Sequence, residues 1–163
     1  MGYEKAMSES ILETRLWVAS AHEGPYSVCG WAFVVAGAEL RGRCGGARAT
    51  PAQRSPLRAL AEALKSVEGE ARVRVFCQDD LYGALARGLK APAGEPQADA
   101  DLWALIRAAA RGRAVSFSRP GSGPDAAMGF CAAWAQTGAA KAKAAGDFSA
   151  AIPRTNLTRL ALT

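Results

Sequence analysis

Residues 55–82 read SPLRALAEALKSVEGEARVRVFCQDDLY, and their periodicities decide the fold class. Ser55 suits a helix N-cap and Pro56 the first helical position, where a missing N–H is harmless. Leu57, Leu60, Ala61 and Leu64 then recur at i, i+3, i+4 and i+7, which predicts an amphipathic helix running to about Val67. Val73, Val75 and Cys77 alternate with Arg74 and Phe76 as a strand, and Leu81–Leu89 reads as a second helix. Upstream, Leu16–Ala21 ends at the turn cluster His22-Glu23-Gly24-Pro25. Gly30–Ala36 and Glu39–Cys44 follow, separated by Gly37 and Ala38, so three closely linked strands form an antiparallel meander. Downstream, residues 90–100 (KAPAGEPQADA) form a Pro- and Ala-rich linker. A helix over Asp101–Ala110, a fifth strand over Ala114–Ser118 and an Ala-rich helix over Ala126–Ala145 complete the series. The expected architecture is α/β: a five-stranded mixed sheet, three strands antiparallel and two parallel, flanked by helices. Residues 1–15 are read as an extension, 16–146 as the domain and 147–163 as a tail.

With 163 residues, half of them hydrophobic, the chain can bury one core without a metal or disulfide staple. It has no run of eighteen apolar residues, and its start, MGYEKAMSESILETR, mixes acids and bases, so the expectation is a cytoplasmic protein with no membrane partner. Cys29, Cys44, Cys77 and Cys131 form no CxxC pair, which suggests idle thiols in a reducing compartment. The formal charge of +5 divides as −1 over residues 1–15, +3 over 16–140 and +3 over 141–163. That permits phosphate binding without requiring it. Trp31, Trp103 and Trp134 fall on expected apolar faces, where packing accounts for them; His22 stands alone in a turn and is given no role.

Five fragments in order carry a resemblance over residues 16–140. They are Gly30-Trp31-Ala32 entering the second strand; Arg54 with Leu57-Arg58-Ala59-Leu60-Ala61-Glu62-Ala63-Leu64; Gln78-Asp79-Asp80-Leu81-Tyr82; Asp101-Leu102-Trp103; and Gly121-x-Gly123 followed by Ala135. The chain resembles the type 1 ribonuclease H family as a degenerate member. The resemblance implies a site in which acids hold two divalent metals about 3.5–4 Å apart. The corresponding positions here are Ala19, Pro56, Asp79 and, on or near it, Ala132, with Ser122 at the loop histidine. Asp79 is the single retained acid. It supports at most one weakly held Mg²⁺, alone or with Asp80, so no resident cofactor is expected. The structural alternative makes Asp79 and Asp80 the acidic first turn of a helix.

The resemblance also implies nucleic-acid contacts just before the first helix, which here leaves Thr50, Gln53 and Arg54, with Arg119 adding charge. The tail carries Phe148, Ile152, Leu157, Leu160 and Leu162 with Arg154 and Arg159, so it either packs on its own domain or docks on a protein partner. Three functions from different classes follow. The leading one is a catalytically inactive protein that binds RNA or an RNA/DNA hybrid without cleaving it; the others are an interaction subunit of a larger assembly and a residual metal-dependent ribonuclease H. On this reading the chain leans away from being an enzyme.

Overall fold

A computed structural model describes residues 13–67, 69, 71–88, 99–111, 113–119 and 126–160. Strands β1 (Thr14–Glu23), β2 (Val28–Ala36) and β3 (Leu40–Ala47) form the meander, with a 3-10 turn, Gly24–Tyr26, between the first two. Helix α1 (Ser55–Lys65) leads to β4 (Arg72–Cys77), followed by α2 (Asp79–Gly88), α3 (Ala100–Ala110), β5 (Ala114–Ser118), α4 (Ala126–Ala145), β6 (Phe148–Ala151) and α5 (Arg154–Leu157). The strand order is β5-β4-β1-β2-β3-β6. β4 runs parallel to both β1 and β5, and the remaining pairs are antiparallel.

The sheet has six strands rather than five. Phe148–Ala151 (FSAA) lacks the apolar alternation that marks a half-buried strand; it is a strand because its backbone pairs with the open side of β3, from Arg43↔Ala151 to Gly46↔Phe148. Ile152 and Leu157 beyond it are 3% and 2% exposed. A partner that used these tail side chains would have to lift them out of the core.

Period-two alternation divides the apolar residues between two layers. Leu16 and Val18 of β1, Trp31 and Phe33 of β2, and Val73 and Val75 of β4 face Leu57, Leu60 and Leu64 of α1 and Leu102, Trp103 and Ile106 of α3. On the opposite face, Trp17, Ala19, Ala32, Val34 and Cys44 meet Ala127, Met128, Cys131 and Ala135 of α4, with Ile152 and Leu157. Strand β2 is covered on both faces, which is why its sequence is almost continuously apolar. Trp31 and Trp103 are packed inside, as expected, while Trp134 is half-buried against the α4 layer.

Helix α4 lies almost on the backbone of the sheet. A Cβ on Gly30 would fall on the Ala135 carbonyl oxygen, and one on Gly138 would fall on the Gly45 carbonyl oxygen. The first helix also departs from the sequence reading in detail. Ser55 is its first residue and not its cap: the hydroxyl donates to the Ala21 carbonyl at 3.2 Å and joins α1 to β1. Arg113 ties the C-terminal ends of two helices together. Its terminal nitrogens donate to the carbonyls of Leu64, in the last turn of α1, and Val67, just beyond it, and its Nε to that of Ala109 in α3. A cation at a helix C-terminus meets the negative end of the dipole.

The close approach predicts that Gly30→Ala destabilises the chain by about 1–3 kcal/mol or more through overpacking. Gly129→Ala, where no atom stands within 4 Å of the added carbon, should be neutral or slightly stabilising. Urea midpoints of the two variants check the contrast.

Candidate nucleic-acid interface

The family-like positions converge at the carboxyl end of the parallel strands, where open α/β sheets place ligands. Val18 pairs with Cys77, so Ala19 lies one step beyond the last paired rung of β4 and next to the chain leading into Asp79. Pro56 follows Ser55, whose hydroxyl holds Ala21. Ala132 of α4 packs on the cluster that contains Ala19. β4 ends at Cys77, and the Gln78 side chain extends the ladder by accepting the Ser20 N–H at 3.3 Å.

What meets there is mostly carbon. Ala19 is 1% exposed in the cluster that also holds Ala127, Met128, Cys131 and Ala135, side chains that offer no oxygen ligand. Pro56 and Ala132 add none. Asp79 and Asp80 are the first two residues of α2, two residues earlier than the helix start read from the sequence. Among the described residues, no three His, Cys, Asp or Glu side chains are grouped to hold a metal. The described side chains therefore make up no site for a pair of divalent ions, since Mg²⁺ needs hard oxygen ligands. Ser122 lies outside the described residues.

The four residues expected to contact nucleic acid fare differently. Thr50 is 5% exposed, its hydroxyl donates to the Arg48 carbonyl at 3.2 Å, and its carbonyl accepts from His22 Nε2 at 2.7 Å. It is a structural joint and offers nothing to a ligand. His22 thus gains a role that its sequence neighbourhood did not signal: it fastens the end of β1 to the loop before α1. Gln53 is exposed. Arg119 is exposed with its guanidinium 4.8 Å from the centre of the Tyr82 ring, beside the same strand ends.

Arg54 is engaged by two carboxylates. Its Nη1 donates to Asp101 Oδ1 at 2.8 Å and to Asp99 Oδ1 at 3.1 Å, and its Nη2 donates to Asp101 Oδ2. This fork-on-carboxylate geometry is the one a guanidinium uses for phosphate. One positive charge against two negative ones leaves the start of α1 net negative. The Asp101 carboxyl is lowered from 3.8 to about 2, first by the Arg54 hydrogen bond and then by its charge; the Arg54 guanidinium is raised in turn, chiefly by its bond to Asp101. Asp101 belongs to the Asp-Leu-Trp fragment that opens α3, so the brace joins α1 and α3. Spacing along the chain gave no sign of this pairing, because its partners stand 45 and 47 residues apart.

No protein-family model and no curated protein matches this sequence. Solved structures do match. The N-terminal RNase H domain of rv2228c from Mycobacterium tuberculosis, solved as a fusion with maltose-binding protein, aligns over 82% of this chain and 96% of its own, with TM-score 0.61 and 16% identity. LC11-RNase H1, solved in complex with an RNA/DNA hybrid, aligns over 79% and 98%, with TM-score 0.62 and 14% identity. LC9-RNase H1, described as a type 1 RNase H with the type 2 active-site motif, aligns over 78% and 72%, with TM-score 0.55 and 19% identity. At these identities the likeness is one of fold, and the fold is that of ribonuclease H.

A carboxylate whose folded pKa is depressed stabilises the fold above its unfolded pKa, and that contribution disappears as pH falls through the folded value. Between about pH 4 and pH 2, wild type should therefore lose thermal stability more steeply than Asp101→Asn. Melting curves at low salt check this; the difference should be small, since the Asp101 side chain is 63% exposed.

Proposed function

We propose that this chain, built on the ribonuclease H fold, binds RNA or an RNA/DNA hybrid without cleaving it. The observation that carries the reading is the apolar floor around Ala19, where the fold brings strand and helix ends together and offers no first-strand carboxylate. Loss of cleavage does not entail loss of binding, because phosphate contacts need distributed charge and donors and not a metal cage. A hybrid complex on the same fold, that of LC11-RNase H1, and the net charge of +5 support retained binding. Four buried cysteines, none in a disulfide, support a reducing compartment such as the cytoplasm.

A second reading, an interaction subunit, is favoured by one observation: Thr50 and Arg54 are both committed to intramolecular bonds. A labelled RNA/DNA hybrid incubated in Mg²⁺ and in Mn²⁺, with cleavage and retention followed together and Asp79→Asn as control, separates the readings. Retention without cleavage is expected. Cleavage abolished by Asp79→Asn would overturn the non-cutting reading, and neither signal would favour the interaction subunit.

A further inference from the structure

The charge of this chain is segregated in three dimensions. β3 with its entry turn, the C-terminal end of α4, β6 and α5 (residues 39–48 and 141–160) carry seven bases and two acids. The rest of the sequence carries thirteen bases and thirteen acids, so this region holds the entire excess of +5. These segments are contiguous because β6 pairs with β3, while Leu157 of α5 and residues of α4 pack against β3 from one face. All seven bases are exposed.

Two of the seven are tied to backbone carbonyls or to a carboxylate. Arg48 donates to the carbonyls of Ala142 and Lys143 at the end of α4, and Lys143 pairs with Glu23 at 3.5 Å. The other five, Arg41, Arg43, Lys141, Arg154 and Arg159, bracket the sheet edge. Cys44 points into the α4 layer, so by alternation Arg41 and Arg43 lie on the opposite face, past the strands on which α1 mainly packs. Arg43 reaches across to the Ser149 hydroxyl of β6 at 3.0 Å, and Lys141 stands 6.0 Å from the Phe148 ring on the other side. Among the described residues β6 has one strand neighbour, so its outer side adds backbone donors.

We infer that the nucleic acid docks on this β3–β6 edge through its phosphodiester backbone, and not at the start of α1. The inference rests on the nucleic-acid reading and names the surface that serves it. Four of the five bracketing side chains are arginines, whose planar forks match phosphate. Arg41 and Arg43, two residues apart on a strand, are about 7 Å apart. A nucleic-acid strand presents one charge about every 3.4 Å of axis, so both reach one backbone. The start of α1 offers instead a buried Thr50 and an Arg54 outnumbered by carboxylates. β6 stands three strands from β1, about 14 Å away, so the two surfaces can be separated by mutation.

The test is fluorescence anisotropy of the full chain with a labelled 20-base-pair RNA/DNA hybrid at 50 and 200 mM NaCl, using variants shown to fold by circular dichroism. Arg41→Gln with Arg43→Gln, and separately Arg154→Gln with Arg159→Gln, should each weaken binding roughly tenfold at the lower salt and reduce the salt slope by about two. Arg58→Gln with Arg74→Gln removes the same charge from the balanced part of the chain, and it and Arg54→Gln should change affinity less than about twofold. Equal losses in all variants, or none in the edge pairs, would overturn the edge assignment while leaving nucleic-acid binding intact. Competition by polyglutamate as strong as by unlabelled hybrid would overturn it in favour of an acidic protein partner. No binding by wild type at either salt would remove the nucleic-acid reading itself, and this surface with it.

Discussion

The rest of the structure depends on how closely α4 approaches β2 and β3. Glycines at 30, 46 and 138 bring helix and sheet into backbone contact, and alanines at 135, 139 and 142 fill what space is left. Dispersion between tightly packed surfaces replaces the large side chains that normally join a helix to a sheet. One effect reaches the candidate site. Ala19 and Ala132 lie in the same thin layer, and with Ala19 1% exposed a longer side chain there would have to displace part of that layer. The alanine at position 19 is thus part of a packing solution shared by the α4 face.

The fold was legible where burial imposes a period. Leu57, Leu60, Ala61 and Leu64 marked α1, Val73, Val75 and Cys77 marked β4, and the bounds Ala126–Ala145 and Ala114–Ser118 match the structure. Strand β6 was illegible because it is defined by a neighbour's open edge and not by its own side chains. The Ser55 hydroxyl was misread for a related reason. A cap is a local habit, whereas a bond from Ser55 to Ala21 depends on how α1 docks against β1.

The site was legible as a set of positions and only partly as a set of roles. Ala19 and Pro56 were expected to belong to one site, and what links their neighbourhoods is the bond from the Ser55 hydroxyl to the Ala21 carbonyl. Thr50 and Arg54, chosen for their hydrogen-bonding chemistry, are instead consumed by His22, Arg48, Asp99 and Asp101. Donors and acceptors carry no period, so a sequence shows that Arg54 has five N–H groups but not who takes them. The same limit concealed Arg113, one side chain serving the ends of two helices.

Strand β6 has a consequence in time as well as in space. The ribosome makes β3 about 100 residues before the segment that closes its outer side, an interval of roughly 5–20 s at ordinary elongation rates. Throughout that interval β3 has a bare flank, and Val34, Cys44 and Leu40 lack the cover later given by Ile152 and Leu157. A nascent chain in that condition is a template for strand pairing with its neighbours on the same message. Arg41 and Arg43, charged and on the strand at risk, would keep such neighbours apart until β6 arrives.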